Sequence, residues 1–246
     1  MGNKDFQPEK LIVWLDDALL TVNKPAGLLT LPDGYDPHLP HLRGLLEPVY
    51  GRLWVVHRLD RETSGIVVLA RTAEAHRALS LQFEKRETLK VYHALVIGAP
   101  PWQERTLKLR LRADGDRRHR TVIDHQKGKP ATTRLRVLER FGRYALLEAS
   151  PETGRTHQIR AHLASQGLQV VVDPLYGDGK GLFLSQIKPG YQPRASKEDR
   201  PLIGRLGLHA WSLQIRHPLS QESLLLEAPY PKDFYTSLRQ LRMNAP

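Results

Sequence analysis

The chain has 246 residues, 28.0 kDa and 40% apolar residues, enough for one sizeable core or two small ones and too apolar for a disordered or fibrous protein. Its 37 Lys+Arg against 26 Asp+Glu leave a formal charge of +11, the footprint of a protein that meets phosphates, either in a nucleic acid or on an anionic membrane. Zero cysteines exclude disulfides, thiolate nucleophiles, zinc ribbons and iron–sulfur clusters. No apolar run nears the roughly 20 residues of a membrane span and no signal-peptide pattern opens the chain, so a cytoplasmic protein is expected.

Lys10 to Trp14 and Leu19 to Asn23 read as short strands about an Asp16-Asp17 turn, so folded structure is expected almost from the first residues, with no separate N-terminal module. Asn23-Lys24-Pro25-Ala26-Gly27 is a turn. Residues 31 to 41, with Pro32, Gly34, Pro37 and Pro40, form a loop before a short helix around Leu42 to Val49 that Gly51 closes.

The next stretch runs Val55-Val56-His57-Arg58-Leu59-Asp60-Arg61-Glu62-Thr63-Ser64-Gly65-Ile66-Val67-Val68-Leu69-Ala70. Val55-Val56 ends one buried strand, Ile66 to Ala70 makes another, and Thr63-Ser64-Gly65 is the turn signal between them. Asp60 therefore sits on a loop supported by rigid elements, the kind of loop that carries a disproportionate share of catalytic groups. Taken alone, such an Asp is a turn residue bonding its own backbone or a surface ion-pair partner of Arg58 or Arg61.

Thr72 is placed to N-cap the following helix, with Glu74 in its first turn, Lys85 and Arg86 at its end, and Ala75, Leu79 and Phe83 as its apolar stripe. That helix should pack behind the Asp60 loop. Lys90 to Val96 alternates as a strand, with Tyr92 on one face and His93 on the other. Arg105 to His125 is dense in charge and reads as an exposed, mobile or nucleic-acid-facing segment. Thr132 to Leu138 and Tyr144 to Ala149 form a hairpin through Gly142-Arg143, with Arg134 and Arg136 making one face basic.

Thr153-Gly154-Arg155-Thr156-His157-Gln158-Ile159-Arg160-Ala161-His162-Leu163 then predicts a helix with Thr156 as N-cap, Ile159 and Leu163 buried and Gly167 as its stop. A zinc helix would carry two His at i, i+4; His157 and His162 are five apart and ~140° around the axis, so no metal is expected. After Asp173-Pro174-Leu175-Tyr176-Gly177, residues 178 to 206 read as an inserted surface loop whose Lys180, Lys188, Arg194, Lys197, Arg200 and Arg205 would contact the phosphates of a nucleic-acid partner. Leu208 to Leu213 and His217-Pro218 mark a closing strand pair, and Pro231, Phe234, Leu238 and Leu241 a terminal amphipathic helix.

Five of these segments together resemble the RluA family of RNA pseudouridine synthases: Asn-Lys-Pro-x-Gly at 23 to 27, His-Arg-Leu-Asp-x-x-Thr-Ser-Gly at 57 to 65, Lys-x-Tyr-x-Ala at 90 to 94, Thr-Gly-Arg-x-His-Gln-x-Arg-x-His at 153 to 162, and Asp-Pro-Leu-Tyr-Gly at 173 to 177. Val172 stands where the family commonly has Gly. The resemblance covers about residues 10 to 236 and implies one catalytic domain over 1–246 without the small S4-type RNA-binding domain of many relatives. It implies an α+β fold: a long, mostly antiparallel mixed sheet in two halves, flanking helices and a central RNA-binding cleft.

The resemblance also implies roles. Asp60 is the nucleophile, Arg160 its cationic partner, and Tyr92 the base or the group that orients it. Arg58 meets the RNA backbone, and His57, Thr63, Arg155, His157 and Gln158 bind substrate. The expected partner is RNA, ribosomal or transfer, met by a monomer with no membrane. Isomerisation without net redox change or hydrolysis needs no cofactor, nucleotide or otherwise. Two rivals remain open: a non-catalytic RNA-binding protein, and a glycosidase-like hydrolase, which would need a second carboxylate cooperating with Asp60.

Overall fold

The computed structural model describes residues 7–191 and 199–244. The chain divides into two compact units: unit 1 holds Met1–Lys90 and Ala210–Pro229, unit 2 holds Val91–His209 and Tyr230–Pro246. The strand pairs described within each unit are all antiparallel, and the described residues carry twelve strands and four α-helices, the α+β class expected.

In unit 1, β1 (Ile12–Leu15) pairs with β2 (Leu19–Lys24), and β2 pairs with β4 (Ser64–Ala70) from Leu19↔Ala70 to Lys24↔Gly65. The Asp16 carboxylate makes the first turn by accepting the amides of Ala18 and Leu19, both at 2.8 Å. Lys10, expected to open the first strand, lies instead in a 3-10 turn begun by Pro8. The continuous Ile66 to Ala70 run is buried on both faces, which its unbroken apolarity requires. Two-residue β3 (Trp54–Val55) also pairs with β4, and β11 (Leu208–Arg216) pairs with β12 (Ser223–Glu227).

Helix α1 (Leu42–Tyr50) ends at Gly51 with φ 77°, and α2 (Ala73–Glu84) starts at Thr72, whose hydroxyl accepts the Ala75 amide. On α2 the buried set is Ala75, Leu79 and Gln82 rather than Phe83. Gln82 is buried because its amide binds the Arg216 backbone on both sides, donating to the carbonyl at 2.9 Å and accepting the N–H at 2.8 Å. Phe83 instead stacks on His57, with ring centroids 4.7 Å apart, and this contact sets α2 behind the Asp60 loop.

In unit 2 the order is β5 (Leu89–Ile97), β9 (Tyr144–Pro151), β8 (Lys129–Phe141), β6 (Glu104–Arg112) and β7 (Val122–Ile123), with β10 (Gln169–Val170) also on β5. Its two faces bury separate cores. Ala94, Val96, Leu135 and Leu147 face Ile159 and Leu163 of α3 (Gln158–Ala164), while Leu95, Phe141 and Leu146 face Phe234, Leu238 and Leu241 of α4 (Lys232–Asn244). The β8–β9 hairpin closes through Gly142-Arg143, with Phe141↔Tyr144 in register and Gly142 at φ 57°.

Three expectations are corrected in unit 2. Residues 105 to 125, read as an exposed, mobile or nucleic-acid-facing segment, are in good part strand: β6 and β7 occupy much of them, and Leu107 and Leu111 are buried between charged residues facing out. Residues 178 to 206 are not a detached loop, since Leu182, Ile187 and Ile203 lie in the core under α4. Arg205, read as an RNA contact, forms a two-pronged ion pair with Asp233 at 2.7 Å. Arg194 and Lys197 fall outside the described residues. The basic face of β8 is also tempered, because Arg134 pairs with Glu152 and Arg136 with Glu148.

Candidate active site

The Asp60 loop joins β3 to β4, and unit 1 holds it from several sides. The ammonium of Lys24, at the end of β2 and fully buried, donates to the carbonyls of Pro25 at 3.0 Å, Leu28 at 2.8 Å and Arg61 at 3.2 Å. A buried lysine is costly unless its charge is hydrogen-bonded, and here three carbonyls do so. The Gly27 amide donates to the Arg61 carbonyl at 2.8 Å, and the Arg61 guanidinium returns a bond to the Gly27 carbonyl at 3.1 Å. Thr30 exchanges its hydroxyl with both backbone groups of Leu59, at 3.2 and 3.3 Å. The Thr63 amide closes the turn on the Asp60 carbonyl at 3.1 Å. The residues on either side of Asp60 are thus fixed by side chains of the 24–30 segment, while Asp60 itself is half-buried and Arg58 exposed.

Beyond the loop, Gly65 has φ 118° and runs so close to the Ala210 backbone that a Cβ would lie 2.2 Å from the Ala210 carbonyl oxygen. Only glycine meets both conditions. Thr63 is buried. His57 accepts the Val68 amide on Nε2 at 3.0 Å while its ring lies on Phe83; desolvation first, and the nearby Lys90 charge second, push its pKa down to about 3. The imidazole is therefore neutral and anchors the loop's entry to β4.

In unit 2, Tyr92 lies on β5 opposite Ala149, against the core that also holds Ile159. Arg160 is 4% exposed and makes a two-pronged pair with Asp173: Nε to Oδ2 at 2.7 Å and Nη2 to Oδ1 at 2.6 Å. Burial opposes the Asp173 charge, but the guanidinium and the amides of Tyr176 and Leu175 outweigh it and hold the carboxyl below its ordinary range. The Arg160 guanidinium carbon is 5.1 Å from the centre of the Tyr176 ring. The Tyr176 hydroxyl accepts the Thr121 amide at 2.8 Å, donates to the Thr121 carbonyl at 3.0 Å, and lies 3.4 Å from His157 Nδ1.

The entry to α3 differs from expectation. His157, not Thr156, is the N-cap residue; it has φ 50° and makes no side-chain cap, so the turn depends on Gln158 instead. The Gln158 amide oxygen accepts from the Thr153 hydroxyl at 2.6 Å and the Arg155 N–H at 3.1 Å, and its nitrogen donates to the Thr132 carbonyl and the Thr133 hydroxyl, both at 2.9 Å. With two donors and two acceptor sites all engaged, Gln158 is part of the frame rather than a group aimed at substrate. Arg155 is half-exposed and donates to the Pro130 carbonyl at 3.3 Å.

The structure thus gathers His57, Arg58, Asp60 and Thr63 on one loop of unit 1, and Arg155, His157, Gln158 and Arg160 at the start of α3 in unit 2. Sequence reasoning did not find the tasks of Lys24, Thr30, Asp173 and Tyr176. The Lys24 signal was a lysine closing an apolar strand before Pro-x-Gly. That of Asp173 was a following turn whose amides a carboxylate could collect. Among the described residues no group of three or more His, Cys, Asp or Glu is placed to hold a metal ion, and no helix is long and apolar enough to cross a membrane.

Comparison with known proteins places these segments. Residues 18–165 match the family model described as RNA pseudouridylate synthase. The chain is 35% identical over 256 residues to ribosomal large subunit pseudouridine synthase D of Neisseria meningitidis serogroup B, covering 99% of this chain but 65% of that protein, so it spans about two thirds of that relative's length. It is 34% identical over 234 residues to the dual-specificity RNA pseudouridine synthase RluA of Escherichia coli strain K12, covering 93% of this chain and 99% of that one. Among solved structures, human RNA pseudouridylate synthase domain containing 1 aligns with a TM-score of 0.69 and 26% identity over 96% of both chains. Near-full coverage on both sides, with the Asp60, Tyr92 and Arg160 motifs all in or at the matched stretch, leaves one assignment: the chain belongs to the RluA family of RNA pseudouridine synthases.

Proposed function

We propose that the protein converts specific uridines of structured RNA, ribosomal or transfer, to pseudouridine, with Asp60 as nucleophile, and that both units act as one catalytic domain of a cytoplasmic monomer. The observation that carries this reading is the Asp60 loop, a carboxylate on a segment held by Lys24, Gly27 and Thr30 in a chain of the RluA family. A nucleophile that must meet one carbon of a large substrate gains from such pre-organisation.

The reaction breaks the N1–C1′ bond of uridine, turns the base over and joins C5 to C1′; the proton on C5 is lost and N1 ends protonated. Atoms and electrons balance within the nucleotide. Asp60 adds to the sugar or base and later departs, which an ionised carboxylate can do and an amide cannot. Following the family pattern, Arg160 supplies positive charge for that carboxylate, Tyr92 serves the C5 proton transfer, and Arg58, exposed beside Asp60, meets a phosphate. A target base stacked in a helix must first be splayed out, at a cost of a few kcal/mol. Phosphate contacts of a +11 chain offset that cost.

The test is release of tritium from RNA labelled at uridine C5, which accompanies pseudouridine formation but neither RNA binding nor hydrolysis of the glycosidic bond. Release from ribosomal or transfer RNA supports the reading. Tight RNA binding without release would make the protein a binding module, and free uracil would make it a hydrolase.

A further inference from the structure

We propose that Asp173 and Tyr176 are positioning residues for Arg160, fixing which edge of its guanidinium faces the reaction; the proposal rests on the reading above, in which Arg160 serves the chemistry. Asp173 takes the Nε and Nη2 side of the guanidinium at 2.7 and 2.6 Å. Two of its five N–H groups are thereby committed and the Nη1 end is oriented away from the carboxylate. The Tyr176 ring lies 5.1 Å from the guanidinium carbon, so rotation of the planar group is limited by an aromatic neighbour as well as by the carboxylate.

Both holders are themselves held. Asp173 Oδ1 accepts the amides of Leu175 at 2.9 Å and Tyr176 at 3.0 Å. The Tyr176 hydroxyl is bound to both backbone groups of Thr121. Arg118 donates to the Pro174 carbonyl at 2.7 Å and Arg120 to that of Leu175 at 3.2 Å, so the same turn is gripped from the 116–121 segment as well. The residue that aims Asp173 is Val172, a β-branched residue at φ 57°. Such a conformation is costly for valine and persists only where surrounding structure imposes it. An ordinary surface-facing turn would need neither the strain nor a carboxylate of zero side-chain exposure.

A purely structural ion pair would stabilise unit 2 without affecting the chemical step, and the two roles separate kinetically. With C5-tritiated RNA and the full chain, D173N and Y176L are expected to lower kcat by about tenfold with KM nearly unchanged, and Y176F, which keeps the ring, to stay within about threefold. R160K cannot make the two-pronged pair, so in an R160K background D173N should have less than about twofold further effect on kcat. Equal, multiplicative losses with and without R160K would overturn the positioning role. Where D173N fails to fold, Y176L against Y176F decides: equal kcat for the two overturns the role of the ring. An independent readout is the 15Nε–H signal of Arg160, expected slow to exchange in the unaltered protein and exchange-broadened in D173N; an unchanged signal also overturns the proposal. If the unaltered protein releases no tritium, the assigned reaction fails, whereas release with multiplicative losses defeats positioning alone.

Discussion

Replacing Lys24 by Met tests whether the Asp60 loop is held as described, because Met keeps most of the buried stem and removes only the ammonium. Lys24 is fully buried and donates to the carbonyls of Pro25, Leu28 and Arg61. In the variant the Arg61 carbonyl retains the Gly27 amide, but those of Pro25 and Leu28 lose their charged donor. Losing a charged donor costs a fully buried carbonyl about 1–3 kcal/mol, but Pro25 is exposed and Leu28 half-buried, so water partly replaces the ammonium and the two together should cost about 2–3 kcal/mol. For a chain of this size that is a fall in Tm of roughly 4–12 °C by calorimetry. Tritium release measured well below that Tm should fall by more than about tenfold, since a loop displaced by a fraction of an ångström misplaces Asp60, the proposed nucleophile. A K24M protein that melts within about 2 °C of the original and keeps its rate within about twofold would refute the claim that Lys24 positions the loop.

Other outcomes follow from single positions. Gly65→Ala puts a Cβ 2.2 Å from the Ala210 carbonyl oxygen at φ 118°, so it should cost more than about 4 kcal/mol and abolish a cooperative melt by circular dichroism. Val172→Gly and Val171→Gly remove the same buried side chain, but only the first relieves a left-handed backbone, so denaturant titration should find V172G about 1–2 kcal/mol the milder. His93 and His162 are buried, and desolvation lowers both to about 4 from 6.5. Their folded-state pKa lies below the unfolded one, so the unfolded chain binds more protons between pH 6.5 and 4: stability is full above that window and falls on acidification, by about 2 kcal/mol per group at pH 5. A flat urea midpoint from pH 7 to pH 5 would contradict that burial.

Much of the fold was legible because local chemistry and tertiary demand agreed. The Ile66 to Ala70 run, the Thr72 cap and the Gly142-Arg143 turn each form the element their residues favour. Where the reading failed, distant context decided. Leu107, Leu109 and Leu111 alternate with Lys108, Arg110 and Arg112 as a strand with one wet face, yet charge density alone read as an exposed, mobile or nucleic-acid-facing segment. Leu182, Ile187 and Ile203 have no helical or strand spacing, and only the packing against α4 reveals their burial. The motif residues themselves stood out in the sequence, but their supports did not. Arg160 and Asp173 lie thirteen residues apart with no periodicity linking them, and Lys24 reaches Arg61 across 37 positions. The Val172 departure from glycine has a visible consequence, a valine carrying a glycine's backbone conformation.

The central claim is that the Asp60 carboxylate forms the covalent step, and Asp60→Asn examines it most directly, since Asn nearly matches Asp in shape and the clamps on the loop engage its neighbours. Tritium release from C5-labelled RNA should fall below about a thousandth of the unaltered rate while RNA affinity and Tm stay close to the original. Chemistry and binding would then part company at one atom pair. A D60N protein that is folded, binds RNA and retains more than about a hundredth of the rate would show that Asp60 is not the nucleophile.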